Sequence, residues 1–119
     1  MKILRYVRVS SNSQKVDRQV EEGDRTRYSF FLEEKVSGKT ELFSREKGSI
    51  IKELILEGKV DVVSIYSVDR ISRNLKDLLS VIDFFHENGV ALQIDNLGIT
   101  SLIDGKVNPS RSYQNAVSM

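Results

Sequence analysis

Cysteine and tryptophan are absent from this 119-residue chain, and proline and histidine occur once each. Without cysteine there is no disulfide framework and no thiolate metal site. A lone histidine, His86, makes no zinc cluster, and no chemistry is assigned to it. An excess of one charge is lacking too, since 18 Lys and Arg against 17 Asp and Glu leave a net charge of +1. A domain that holds nucleic acid by itself usually carries a clear basic surplus. Any phosphate chemistry must therefore rest on where the arginines sit. No apolar run approaches the length of a bilayer span. The N-terminus opens on a strand-like pattern rather than a signal peptide. The expected location is the cytoplasm, with no membrane partner.

What is present suffices for one globular domain with a real core, at 39% hydrophobic residues. The patterning predicts strands over about 2–9, 28–32, 60–66 and 90–94, with a short extra one over 97–100. A largely solvated helix is expected from Ser11 or Ser13 to about residue 27, and others over 46–57 and 74–88. Leu75, Leu78, Leu79, Ile82 and Phe85 are the expected inward face of the last of these. Gly58 and Gly89 are expected to close helices. Residues 34–45 lack a period and read as a mobile loop. Asp104-Gly105 reads as a turn, and Asn108-Pro109-Ser110 as the start of a short final helix. His86 is expected against the last carbonyls of its helix.

This alternation implies an α/β fold: an open, mostly parallel sheet of four to five strands with helices on both faces, in three layers. Ligands of such sheets bind beyond the carboxyl ends of the strands, where the strand order reverses. Two reactive segments leave strands there. Tyr6-Val7-Arg8-Val9-Ser10 ends the first, with Tyr6, Arg8 and Ser10 on one face. Ser67-Val68-Asp69-Arg70-Ile71-Ser72-Arg73-Asn74 follows the third. If these strands are neighbours, a hydroxyl, three guanidinium groups and a carboxylate meet across one crevice. Serine supplies an attacking oxygen, and guanidinium forks grip phosphate oxygens while keeping their charge. Arg8 alone reads equally as a salt bridge to Asp69, Arg70 and Arg73 as surface charges, and Ser10 as a helix cap. Arg45 by itself reads as a surface residue, and Gln14 and Gln19 as solvated ones.

Tyr6-Val7-Arg8-Val9-Ser10 with Gln14 and Gln19 resembles the N-terminal signature of the serine recombinases, the resolvase/invertase family. Lys35-Val36-Ser37-Gly38 with Arg45 and Lys47-Gly48 is similar to its second block, and the segment from Val68 to Asn74 to its third. The resemblance runs from residue 3 to about residue 105. It implies that Ser10 is the nucleophile, that Arg8, Arg45, Arg70 and Arg73 grip phosphate, and that Asp69 is the active-site carboxylate. Tyr6, Gln14 and Gln19 would support them. Ser10 would attack DNA to form a 5′-phosphoserine. Double-stranded DNA would be the partner, homodimers would join in a synaptic tetramer, and no metal, ATP or other cofactor would be needed. Members continue into a long dimerising helix and a DNA-binding domain. Residues 1–119 are therefore expected to be a single catalytic domain cut at the start of that helix. Without phosphate, Ser10 and Arg45 are expected beyond hydrogen-bond reach of Arg70.

A flavodoxin-like receiver domain shares the strand–helix order, with Asp69 as acceptor. Val9-Ser10-Ser11 stands where a receiver needs its acidic pair. No paired His-Lys motif of a phospholipase-D nuclease and no Gly-x-Gly-x-x-Gly or Walker pattern is present.

Overall fold

A computed structural model describes residues 1–9 and 24–118. The order is β1 (Ile3–Val9), β2 (Phe30–Lys35), α1 (Glu46–Leu56), β3 (Val62–Ile65), α2 (Leu75–Glu87), β4 (Ala91–Ile94) and β5 (Ile99–Thr100). A small hairpin, β6 (Leu102–Ile103) and β7 (Lys106–Val107), and a short α3 (Arg111–Ala116) complete it. The main sheet has the order β2-β1-β3-β4-β5. Its first four strands are parallel, and β5 returns antiparallel to β4. Because β1 lies between β2 and β3, the strand order reverses beside it, as the expected crevice requires.

Register and alternation put Leu4 and Tyr6 of β1 beside Val63 and Ile65 of β3 and Leu92 and Ile94 of β4. All six are buried in one core with Ile51 and Ile55 of α1 and Leu78, Val81, Ile82 and Phe85 of α2. Each such side chain is worth roughly 1.5–3 kcal/mol of burial, so this layer fixes how both helices lie on the strands. β3 is buried along its whole length, as its unbroken apolar run implies. Gly58 and Gly89 end α1 and α2 with φ of +70° and +71°. Asp104 and Gly105 turn the hairpin with φ of +52° and +78°, the pair of positive values a two-residue loop needs.

Several expectations need correction. Leu75 and Leu79 are exposed, while Val81 faces inward. Leu79 follows Leu78 by ~100° of helical rotation, enough to carry it off the core. β2 begins later and ends later than expected, because Glu34 and Lys35 pair with Arg8 and Val9. The segment read as a mobile loop is anchored: Leu42 is fully buried in a single 3-10 turn (Leu42–Ser44), and Val36 donates its N–H to the Val9 carbonyl at 3.2 Å. His86 Nε2 meets the Ser101 hydroxyl at 2.8 Å rather than only the end of its own helix. The helix expected before residue 27 falls mostly outside the described residues. At its expected end, Asp24 caps a separate 3-10 turn, Arg25–Arg27. No helix among the described residues is long and apolar enough to cross a membrane.

Candidate active site

The carboxyl ends of β1 and β3 bring the two reactive segments together. Arg8 projects from β1 and is 3% exposed. Its NH1 donates to the Val36 carbonyl at 3.0 Å and its NH2 to the Asp69 carbonyl at 3.2 Å. The Asp69 carboxylate stands 4.0 Å from NH2, too far for a close pair. Arg8 Nε is buried and has no partner among the described residues. Burial foremost, then the charges of Arg45 and Arg70, hold the Arg8 pKa below its usual value; Asp69 opposes them and Arg73 adds to them. The site thus crowds positive charge around a buried donor that the described residues leave unused.

The 3-10 turn Val68–Arg70 carries the opposing cluster. Ser67 donates its hydroxyl to Asp69 Oδ1, and Arg70 NH1 donates to Asp69 Oδ2 at 2.8 Å. The Asp69 side chain remains 40% exposed and that of Arg70 22%. Arg73 is exposed at the entrance to α2. Its stem crosses Gly38, where an added Cβ would lie 3.0 Å from Arg73 Cγ. The Arg73 N–H donates to the Gly38 carbonyl at 3.2 Å. Gly38 therefore lets the second block of the sequence pass beneath the third.

Arg45 is placed differently from expectation. It is 2% exposed and committed to the protein. Nε donates to the Thr40 carbonyl at 3.0 Å, NH1 to the Arg70 carbonyl at 2.8 Å and to the Tyr6 hydroxyl at 3.1 Å, and NH2 to the Ile71 carbonyl at 2.8 Å. Its bond to Arg70 overturns the expectation that the two lie beyond reach. A buried guanidinium is costly unless its donors are satisfied, and three backbone carbonyls and the Tyr6 hydroxyl accept from this one.

Glu34 was missed by sequence reasoning. It sits on the face of β2 that carries Phe30 and Leu32, and a carboxylate in that apolar row was the available signal. Its oxygens accept from the Tyr6 hydroxyl at 2.6 Å and from the Lys47 and Gly48 amides at 3.0 and 3.2 Å. α1 has no side-chain cap from its own N-cap residue, so Glu34 answers the unpaired amides and positive end of that helix. Burial and the bond to Glu34 push the Tyr6 phenol well above its usual pKa, against the smaller pull of Arg45. Tyr6 therefore stays protonated, linking Glu34 to Arg45. Gly48 admits this arrangement: a Cβ there would stand 1.8 Å from the Leu42 carbonyl oxygen.

Arg8 and Arg70 beside the Asp69 carboxylate, with Arg73 near enough to add to the charge felt by Arg8 and with Arg45 and Tyr6 behind, can receive a tetrahedral anion. Among the described residues no group of His, Asp and Glu could hold a metal ion.

The family model "Resolvase, N terminal domain" matches residues 3–109. The chain belongs to the resolvase family. It is 30% identical over 103 residues to a resolvase/recombinase of Pseudomonas putida, covering 85% of this chain and 55% of that protein. It is 34% identical over 94 residues to the transposon Tn501 resolvase of Pseudomonas aeruginosa, covering 79% of this chain and 47% of that protein. This resolvase-family chain thus spans about half the length of the curated relatives it matches. Its fold is like that of the N-terminal catalytic domain of TP901-1 integrase, with a TM-score of 0.69, 24% identity and coverage of 85% and 82% of the two chains. These matches do not favour the receiver reading. Of the site residues expected for a resolvase, Ser10, Gln14 and Gln19 lie outside the described residues.

Proposed function

We propose that this resolvase-family chain is the catalytic domain of a site-specific DNA recombinase working in the cytoplasm. Ser10 Oγ attacks the scissile phosphorus and loses its proton. The bond from phosphorus to the 3′ oxygen breaks, and that oxygen takes up a proton. A 5′-phosphoserine and a free 3′-hydroxyl result. After strand exchange a 3′-hydroxyl attacks the phosphoserine and releases Ser10. Arg8, Arg70 and Arg73 stabilise the charge that develops on the phosphate oxygens. Asp69 orients Arg70, and Arg45 with Tyr6 holds the backbone beneath them, with Gln14 and Gln19 in support. The partner is double-stranded DNA, engaged by homodimers that pair as a synaptic tetramer.

Arg8 is the observation that carries this reading. It is a buried guanidinium, two residues before Ser10, with an Nε that has no partner among the described residues and like charges around it. An arriving phosphate satisfies that donor and relieves the repulsion. The test is Ser10→Ala in the natural protein, challenged with a nicked suicide substrate. The expected result is loss of every covalent protein–DNA adduct with DNA binding retained. An adduct that survives the change removes Ser10 as nucleophile.

A further inference from the structure

Arg70 has a neighbour that the charge cluster does not explain. Its guanidinium carbon lies over the ring of Tyr66, 5.9 Å from the centroid. Tyr66 directly follows β3, and its surroundings are firmly tied. Its carbonyl accepts from the Asn96 amide at 2.9 Å, and the Ile65 carbonyl accepts from the Asp95 amide at 2.9 Å. The Asp95 carboxylate accepts from Arg5 NH1 at 2.6 Å, which also donates to the Ser64 hydroxyl at 2.8 Å. The carboxyl end of β3 is thereby clamped to β1 on one side and β4 on the other.

We infer that Tyr66 is a positioning residue for Arg70, an aromatic platform that sets the guanidinium plane before phosphate arrives. The inference rests on the reading of Arg70 as a phosphate clamp. A cation over a ring face is attracted by the ring's quadrupole, whereas guanidinium N–H groups donate within their own plane. The ring therefore restrains Arg70 from a direction that uses none of its donors. Asp69 restrains it within the plane through NH1. The ring and the carboxylate both restrain a long side chain that has many other rotamers. Ordering this side chain beforehand lowers what must be ordered in the transition state.

The test compares Tyr66→Phe, Tyr66→Trp and Tyr66→Leu in the natural protein, with Arg70→Ala as reference. DNA affinity and single-turnover cleavage at saturating DNA are measured for each. Phe and Trp keep the ring face and are expected to cleave within about twofold of the unmodified protein. Leu keeps the bulk and loses the face, and its cleavage rate is expected to fall roughly tenfold with DNA affinity unchanged. Adding Tyr66→Leu to Arg70→Ala is expected to cost nothing more, since the platform then has nothing to hold. Full-rate cleavage by the Leu variant overturns the platform, and so does an equal loss in Phe and Leu. A loss in Leu that comes with an equal loss of DNA binding overturns it too. If Arg70→Ala itself cleaves at full rate, the clamp reading fails instead, which separates the two.

Discussion

Arg5 and Arg8 lie three residues apart on the same strand, and both are buried, at 0% and 3% exposure. Their odd spacing sends them to opposite faces of the sheet. Arg5 has a carboxylate oxygen at 2.6 Å and a hydroxyl at 2.8 Å. Among the described residues Arg8 has two carbonyls, a carboxylate oxygen at 4.0 Å and an Nε with no partner. Arg5 ties three strands together. Arg8 is held where its charge is poorly compensated and crowded by other arginines. Buried charges without full compensation cost stability, and such sites are where function is often found. The comparison teaches that burial of an arginine says little about its role. The quality of its partners says more.

The sharpest way to break this contrast is to remove each charge in turn. Arg8→Met is expected to lower DNA cleavage by about a hundredfold or more, the scale of a lost transition-state donor. It should leave thermal stability unchanged or raise it, because an apolar side chain of similar length removes an undercompensated charge. Cleavage kinetics beside calorimetric melting of the same samples decide this. A large fall in melting temperature would make Arg8 a structural residue like Arg5.

Arg5→Met should behave in the opposite way. Loss of the guanidinium strands Ser64 and leaves the Asp95 carboxylate without its cation. A destabilisation of about 2 kcal/mol is expected, less than for a fully enclosed pair because the Asp95 side chain is 35% exposed. Cleavage per folded molecule should change little. Urea unfolding midpoints, with activity normalised to the folded fraction, measure both quantities. An Arg5 variant that is stable but inactive would move Arg5 into the catalytic machinery.

The smallest effect is one that both variants should share. Burial holds the His86 imidazole below its ordinary value of 6.5, with Asp83 opposing. The fold therefore favours the neutral ring, and the unfolded chain takes up the proton first as pH falls. This contribution is complete above the unfolded value and declines as pH drops through about 6.5 toward the lower folded value. Unfolding midpoints between about pH 7.5 and pH 5.5 should fall with the same slope in the unmodified protein, Arg5→Met and Arg8→Met. His86→Gln should flatten the slope in all three. A slope that changed with either arginine would tie that face of the sheet to the His86–Ser101 contact.

Much of the fold is legible in the order of the amino acids. Apolar periodicity marks β1, β3, β4, α1 and α2, and the glycines at 58 and 89 take the left-handed geometry that ends a helix. The crevice is legible only as a condition, since a parallel strand–helix alternation allows β1 and β3 to be neighbours, and the observed strand order makes them so. Boundaries near the site are less legible. Glu34 and Lys35 look polar and loop-like in isolation, and only pairing with Arg8 and Val9 makes them strand.

What the sequence by itself determined was direction: which residues leave the strand ends, and which of them share a face. Local spacing suffices for that, since side-chain direction repeats with the backbone period. What only the tertiary structure decided was adjacency, through the strand order that sets β1 beside β3, and compensation. It buried Arg45 against the carbonyls of Arg70 and Ile71, brought Glu34 to the start of α1 through Tyr6, and gave Arg5 a carboxylate oxygen at 2.6 Å where that of Arg8 stands at 4.0 Å. Those differences arise because the field at a charged group is set by atoms within a few ångströms. Here those atoms come from segments up to 90 residues away along the chain.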